Sequence, residues 1–144
     1  MSESPVLIDR EGAVATVTLY RPEVRNAFDA ATIAALHAVF VELGQEAEVR
    51  CVVLAAQGPA FCAGADLRYM QQLAAYTDAQ NRDDALQLAR MLRAVAECPK
   101  PVIARVQGDA YAGGMGLVAA CDLAVAVQTA RFCLSEVRLG LVPA

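Results

Sequence analysis

The sequence has no tryptophan, only one histidine and few aromatic residues (6%). That lone histidine, His37, sits among apolar residues with no cluster of Cys or acidic residues nearby, which is not a metal site. Ser135 has no histidine within sequence reach to build a hydrolase triad. A block of basic residues is also missing: charges of both signs are mixed along the chain and sum to −4, which argues against a nucleic-acid partner. No unbroken apolar run approaches the roughly 20 residues of a membrane helix. The first residues, Met1-Ser2-Glu3-Ser4-Pro5, do not read as a signal peptide. The five cysteines (Cys51, Cys62, Cys98, Cys121, Cys133) include no C-x-x-C pair and sit in apolar segments. They are expected to be reduced and structural, in a cytoplasmic protein.

What is present is small and apolar. Hydrophobic residues make up 57% of the 144, much of it Ala and Val. This length and composition suit one close-packed domain. Val6 to Asp9 and Val14 to Tyr20 read as two strands around a turn at Glu11-Gly12, with Ala15, Val17 and Leu19 on the more apolar face. Asp29 can cap a helix carrying Ile33, Leu36, Phe40 and Leu43 at helical spacing, which Gly44 loosens or ends. Cys51 to Ala55 reads as a strand covered on both faces, followed by a loop from Gln57 to Asp66. A second helix is expected over Asp78 to Glu97, with Leu86, Ala89, Leu92 and Val95-Ala96 on its apolar face and Pro99 and Pro101 beyond its end. Then come a strand at Val102 to Val106, a glycine-rich turn at Gly108 to Gly116, a helix start at Leu117 to Cys121 and a strand at Leu123 to Val127. Strands and helices alternate, so the fold class is α/β, with no internal repeat in the sequence.

Two glycine-rich turns carry the chemistry. In the first, Gly58-Pro-Ala-Phe-Cys-Ala-Gly-Ala-Asp66-Leu67, the small residues Ala63, Gly64 and Ala65 admit a ligand close to the backbone. A plain strand-to-helix turn capped by Asp66 explains the segment as well, and a cap is the better reading of Asp66 itself. The second is Val106-Gln-Gly-Asp-Ala-Tyr-Ala-Gly-Gly-Met-Gly-Leu117. Gly113-Gly114 there would open a helix whose N–H groups are free, although close helix packing is the plainer use of the glycines. It is neither G-x-G-x-x-G nor a P-loop. One N–H from each turn could meet on a single oxygen, as an oxyanion hole for a thioester carbonyl turning into an enolate. Glu136, an acidic residue in the mostly apolar stretch Arg131 to Val137, is the candidate acid/base; a solvated loop carboxylate or a partner of Arg138 is its plainer reading.

These segments resemble the crotonase superfamily of enoyl-CoA hydratases and isomerases over essentially the whole chain. Arg21-Pro-Glu-Val-Arg-Asn-Ala-Phe28 is similar to the family's R-P-x-x-x-N-A, and Phe61-Cys-Ala-Gly-Ala-Asp-Leu67 to its F-x-A-G-A-D-L loop. Pro101-Val-Ile-Ala-Arg-Val-Gln-Gly108, Ala112-Gly-Gly-Met-Gly-Leu117 and Cys121-Asp-Leu-Ala124 resemble its glycine-rich signature. The resemblance implies a spiral of ββα units, packed as trimers or dimers of trimers, and an acyl-CoA thioester substrate, with coenzyme A part of that substrate and no separate cofactor. Carried over by position, Ala65 and Gly113 donate to the oxyanion and Glu136 matches the second family glutamate. Val24, Arg25, Ala27, Ala63, Asp66, Leu67 and Gly114 would bind substrate. An anionic CoA calls for local basic groups, for which Arg21, Arg25 and Arg68 are candidates.

Two departures stand out. Hydratases of the family place a first glutamate where this chain has Gly116, and the second glutamate alone suits a double-bond isomerase; Asp109 and Tyr111 are weak alternatives for holding water. However, Ala130 to Ala144, with Gly-Gly-Met-Gly upstream, is similar to a bacterial subgroup of methylglutaconyl-CoA or carboxygeranoyl-CoA hydratases, so a branched enoyl-CoA is the first expectation. A non-catalytic acyl-CoA-binding subunit is a third reading. Family chains are also longer. The C-terminal helical part is expected to be missing, leaving an open apolar face.

Overall fold

A computed structural model describes residues 4–143. Its chain winds in repeating strand–strand–helix units. The strands are β1 (Val6–Glu11), β2 (Val14–Leu19), β3 (Cys51–Ala56), β4 (Ala60–Cys62), β5 (Val102–Val106), β6 (Asp109–Tyr111), β7 (Leu123–Ala126) and β8 (Phe132–Cys133). The helices are α1 (Ala30–Gln45), α2 (Leu67–Leu73), α3 (Asp78–Ala96) and α4 (Gly113–Ala120), and short 3-10 turns occupy Pro22–Val24 and Ser135–Leu139. The long strands form one sheet in the order β1-β2-β3-β5-β7, antiparallel only at β1–β2. The short strands form a second, parallel sheet, β4-β6-β8. The first unit keeps both strands, β1 and β2, in the large sheet, and each later unit lays one strand in each sheet, the ββα spiral that the resemblance implies.

The hydrophobic pattern sets the packing. Ala15, Val17, Leu19, Val52, Leu54, Val102, Ala104 and Val106 share one core with Ile33, Leu36, Phe40 and Leu43 of α1. Asp29 caps α1, its carboxylate accepting the Thr32 N–H at 2.8 Å. Gly44 does not end this helix, which runs to Gln45. Cys51 and Val53 are only half-buried, so β3 is covered fully on one face and partly on the other. In α3 the inward residues are Leu88, Met91, Leu92 and Val95, while Leu86 is exposed. The expected face is thus rotated. The first half of α3 runs along the surface, so its early apolar residues find no core. The expected loop at 57–66 contains β4, and the turn at 108–116 contains β6 and the start of α4.

From β7 onward the character changes. Leu123, Val125, Phe132, Leu134, Val137, Leu139 and Val142 are all exposed, in contrast to the core strands. No helix among the described residues is long and apolar enough to cross a membrane.

Candidate active site

Both glycine-rich turns leave the same small sheet. The first follows β4 and the second follows β6, its parallel neighbour, so the two backbones emerge side by side. Contact between them is tight. A Cβ on Gly114 would lie 2.4 Å from the Cys62 carbonyl oxygen, and one on Gly64 would lie 2.7 Å from Ala112 Cβ and 3.5 Å from the Gly113 nitrogen. Only glycine allows this approach, and Gly64 also has φ +92°.

The first turn is fastened by polar groups. Phe28 N–H donates to the Gly64 carbonyl at 2.7 Å, and Asp66 N–H donates to the Phe28 carbonyl at 2.7 Å. Asp66 caps α2, accepting from Arg68 N–H (2.9 Å) and Tyr69 N–H (3.3 Å). Arg21 reaches in from the segment after β2. Its guanidinium donates to the Ala27 carbonyl at 2.6 Å and pairs with Asp29 at 3.1 Å and Asp66 at 3.2 Å. Burial alone would raise the Asp66 carboxyl, but the two N–H groups and the Arg21 charge outweigh it and hold its pKa below the usual value. Asn26 is buried and staples the loops together: its amide accepts from Arg21 N–H and donates to the carbonyls of Gln57 and Ala60.

The second turn relies on its backbone. Ala112 has φ 50° and ψ −125°, a conformation costly for a residue with a Cβ. Its N–H donates to the Cys133 carbonyl at 2.8 Å, which ties the turn to β8. Arg25 and Asn26 also have positive φ, so every non-glycine residue of that kind among the described residues lies in these loops. Among the described residues, neither the Ala65 nor the Gly113 N–H has an acceptor.

A cleft of about 890 Å³ opens beside the first turn. Val24, Arg25, Ala27, Ala63, Ala65, Asp66 and Leu67 line it, all of them expected site residues. Gly113 and Gly114 are buried and do not line it; Gly114 lies against Cys62 and Gly113 against the Phe28 ring. Arg25 and Arg68 are exposed on the cleft wall and make no ion pair among the described residues, whereas Arg21 is already engaged by two carboxylates. Glu136 lies in the 3-10 turn after β8 and is only 9% exposed. Its Oε2 is buried without a hydrogen-bond partner, and no ion pair to Arg138 forms among the described residues. Gly116, within α4, is half-buried and contributes no carboxylate. Cys62, also buried, has its thiol pushed up to about 12 by burial, against the lowering effect of the Gly64 N–H, so it stays protonated and unreactive. The described residues contain no group of three His, Cys, Asp or Glu placed to hold a metal.

Sequence reasoning missed Phe28 and Asn26 as parts of this site. Both lie in the motif Arg21 to Phe28, from which the resemblance takes Val24, Arg25 and Ala27 for substrate and which carries no local signal for the contacts of Asn26 and Phe28 with distant loops.

Comparison with known proteins shows the family. The model of the enoyl-CoA hydratase/isomerase family matches residues 9–144, and the chain belongs to that family. An enoyl-CoA hydratase of Alternaria alternata is 40% identical over 135 residues, 94% of this chain and 43% of that protein. The mitochondrial Delta(3,5)-Delta(2,4)-dienoyl-CoA isomerase of Mus musculus is 34% identical over 150 residues, 96% of this chain and 45% of that protein. The crystal structure of an enoyl-CoA hydratase from Mycobacterium smegmatis superposes with a TM-score of 0.91 at 44% identity, over 96% of this chain and 54% of that one. The chain spans about half the length of the relatives it matches.

Proposed function

We propose that this chain carries the acyl-CoA-binding and enolate-stabilising machinery of an enoyl-CoA hydratase. The observation that carries the reading is the pair of unsatisfied N–H groups, Ala65 and Gly113, on adjoining turns. A thioester carbonyl oxygen resting on both would accept two hydrogen bonds that strengthen as negative charge develops, and each such donor is worth about 10²–10³ in rate. Arg25 and Arg68 supply free positive charge for the phosphates of the CoA carried in the cleft.

Glu136 supplies the proton chemistry. Its carboxylate takes a proton from water as the water oxygen attacks C3 of the enoyl group. The double-bond electrons move onto the thioester oxygen, giving an enolate, and Glu136 returns the proton to C2. The buried, unpartnered Oε2 supports this role, because a carboxylate without a structural partner is free to exchange a proton. The acyl group we favour is branched, such as methylglutaconyl, on the likeness of Ala130 to Ala144 to that subgroup. Exposed apolar side chains such as Val125 and Val137 support assembly as a trimer or dimer of trimers.

Gly116 favours one second reading. With a single carboxylate available, the same residues suit a double-bond isomerase, in which Glu136 shuttles a proton between carbons. Both readings are tested by Glu136→Gln in the full-length gene product. The expected result is a fall in turnover of at least about a hundredfold, with CoA-thioester binding nearly intact. Undiminished turnover would remove Glu136 from the chemistry.

A further inference from the structure

The two N–H donors sit on turns separated by 48 positions in the chain (65 to 113), yet they must hold one oxygen at hydrogen-bond distance from both. Phe28 touches the supports of both. Its backbone brackets Ala65: the Phe28 N–H holds the Gly64 carbonyl and the Phe28 carbonyl holds the Asp66 N–H, each at 2.7 Å. A trans peptide points its N–H away from its C=O. Anchoring the Gly64 carbonyl on Phe28 therefore turns the Ala65 N–H to the opposite side. The Phe28 ring meanwhile lies against Gly113, where a Cβ would come within 3.0 Å of Cε2 and 3.3 Å of Cδ2. The residue is 2% exposed, and Asp29 next to it is fixed as the cap of α1 and by Arg21. Backbone and ring thus form a spacer of fixed length between the donors.

We propose that Phe28 is a positioning residue that sets the separation of the Ala65 and Gly113 N–H groups, an inference that rests on the oxyanion role given to them above. A smaller side chain leaves the backbone bonds, and so the Ala65 donor, in place. It removes the stop behind Gly113, and the second donor drifts. Displacements of about 1 Å at a reacting centre cost up to about a hundredfold in rate.

The test uses the full-length gene product and three variants. Phe28→Leu keeps most of the buried volume, Phe28→Met gives the same comparison should the leucine variant not fold, and Phe40→Leu is a control that removes a buried ring from α1, away from the donors. Two quantities are read: kcat against KM on an active enoyl-CoA, and the thioester carbonyl stretch of bound butyryl-CoA, which is saturated and does not turn over. Phe28→Leu should lower kcat about tenfold to a hundredfold, leave KM within about threefold, and move the carbonyl stretch back toward its value in free butyryl-CoA. Phe40→Leu should lower stability and leave both readouts at parental values. A folded Phe28→Leu protein with parental kcat and carbonyl stretch overturns the proposal, as does an equal loss in Phe40→Leu. A parent whose bound butyryl-CoA shows no carbonyl shift overturns the oxyanion reading as well. A parent that shows the shift but turns over no enoyl-CoA contradicts the hydratase and isomerase readings and leaves the oxyanion reading standing, and the carbonyl stretch then still decides the role of Phe28.

Discussion

The two turns of the site reach similar positions by different means. The turn after β4 is held by side chains: Asp66 caps α2, Arg21 joins Asp66 to Asp29, and Asn26 fastens the neighbouring loops. The turn after β6 is held by shape, through a strained Ala112 and two glycines pressed against Phe28 and Cys62. A side-chain-held turn responds to charge and pH. A shape-held turn responds to a single added methyl group. Each donor can therefore be disturbed separately.

The largest effect is expected in the second turn. Gly114→Ala puts a Cβ 2.4 Å from the Cys62 carbonyl oxygen, and the start of α4 has to move away from β4. Overpacking of this kind costs about 1–3 kcal/mol, and the displaced turn should lower turnover about a hundredfold; thermal melts and steady-state rates measure the two losses. Next is Arg21→Met in the first turn. It leaves Asp29 and Asp66 without their cation and should cost about 1–3 kcal/mol in a urea titration, with a smaller loss of turnover than Gly114→Ala. Ala112→Gly should have the opposite sign. Relief of the φ 50° conformation, offset by the entropy of glycine, should stabilise by about 1 kcal/mol. A loss there would mean that the second turn is not held by shape.

The smallest effect is on pH dependence and separates the turns most cleanly. The folded-state pKa of Asp66 is lowered, so its contribution to stability is present above the unfolded carboxyl value and is lost as pH falls through the folded one. Urea melts between neutral and acid pH should show a shallower acid loss for Asp66→Asn than for the parent. The second turn offers no comparable carboxylate cap.

The same contrast explains what the sequence made legible. Helix α1 was readable because Asp29 and the spacing of Ile33, Leu36, Phe40 and Leu43 agree over 16 residues. Strands β4, β6 and β8 have only two or three residues each, too short for alternation to register, and their glycine-rich flanks read as turns. For that reason the ββα repeat came from the resemblance and not from residue pattern, since it recurs in backbone path. In α3 the sequence offers several apolar residues in its exposed first half, and only packing selects Leu88, Met91, Leu92 and Val95. Ala63 and Ala65 were legible as small residues of a glycine-rich turn, while Leu67 and the donor role of Ala65 came from motif resemblance. The engagement of Arg21 by Asp66, 45 positions away, and the span of Phe28 between the turns are tertiary facts with no local pattern. The place of Phe28 just before the Asp29 cap signals an apolar contact with the first turn of α1 and not the contact with Gly113.

In the proposed reaction these turns and Glu136 add water across the double bond of an enoyl-CoA. Turnover of an enoyl-CoA panel in oxygen-18 water tests it most directly, using the full-length gene product and including methylglutaconyl-CoA and a 3-enoyl-CoA. The expected result is label in a 3-hydroxyacyl-CoA product, with a branched substrate among the best. Double-bond migration without label would contradict hydration and make Glu136 the proton shuttle of an isomerase, and binding without any reaction would contradict catalysis by this site.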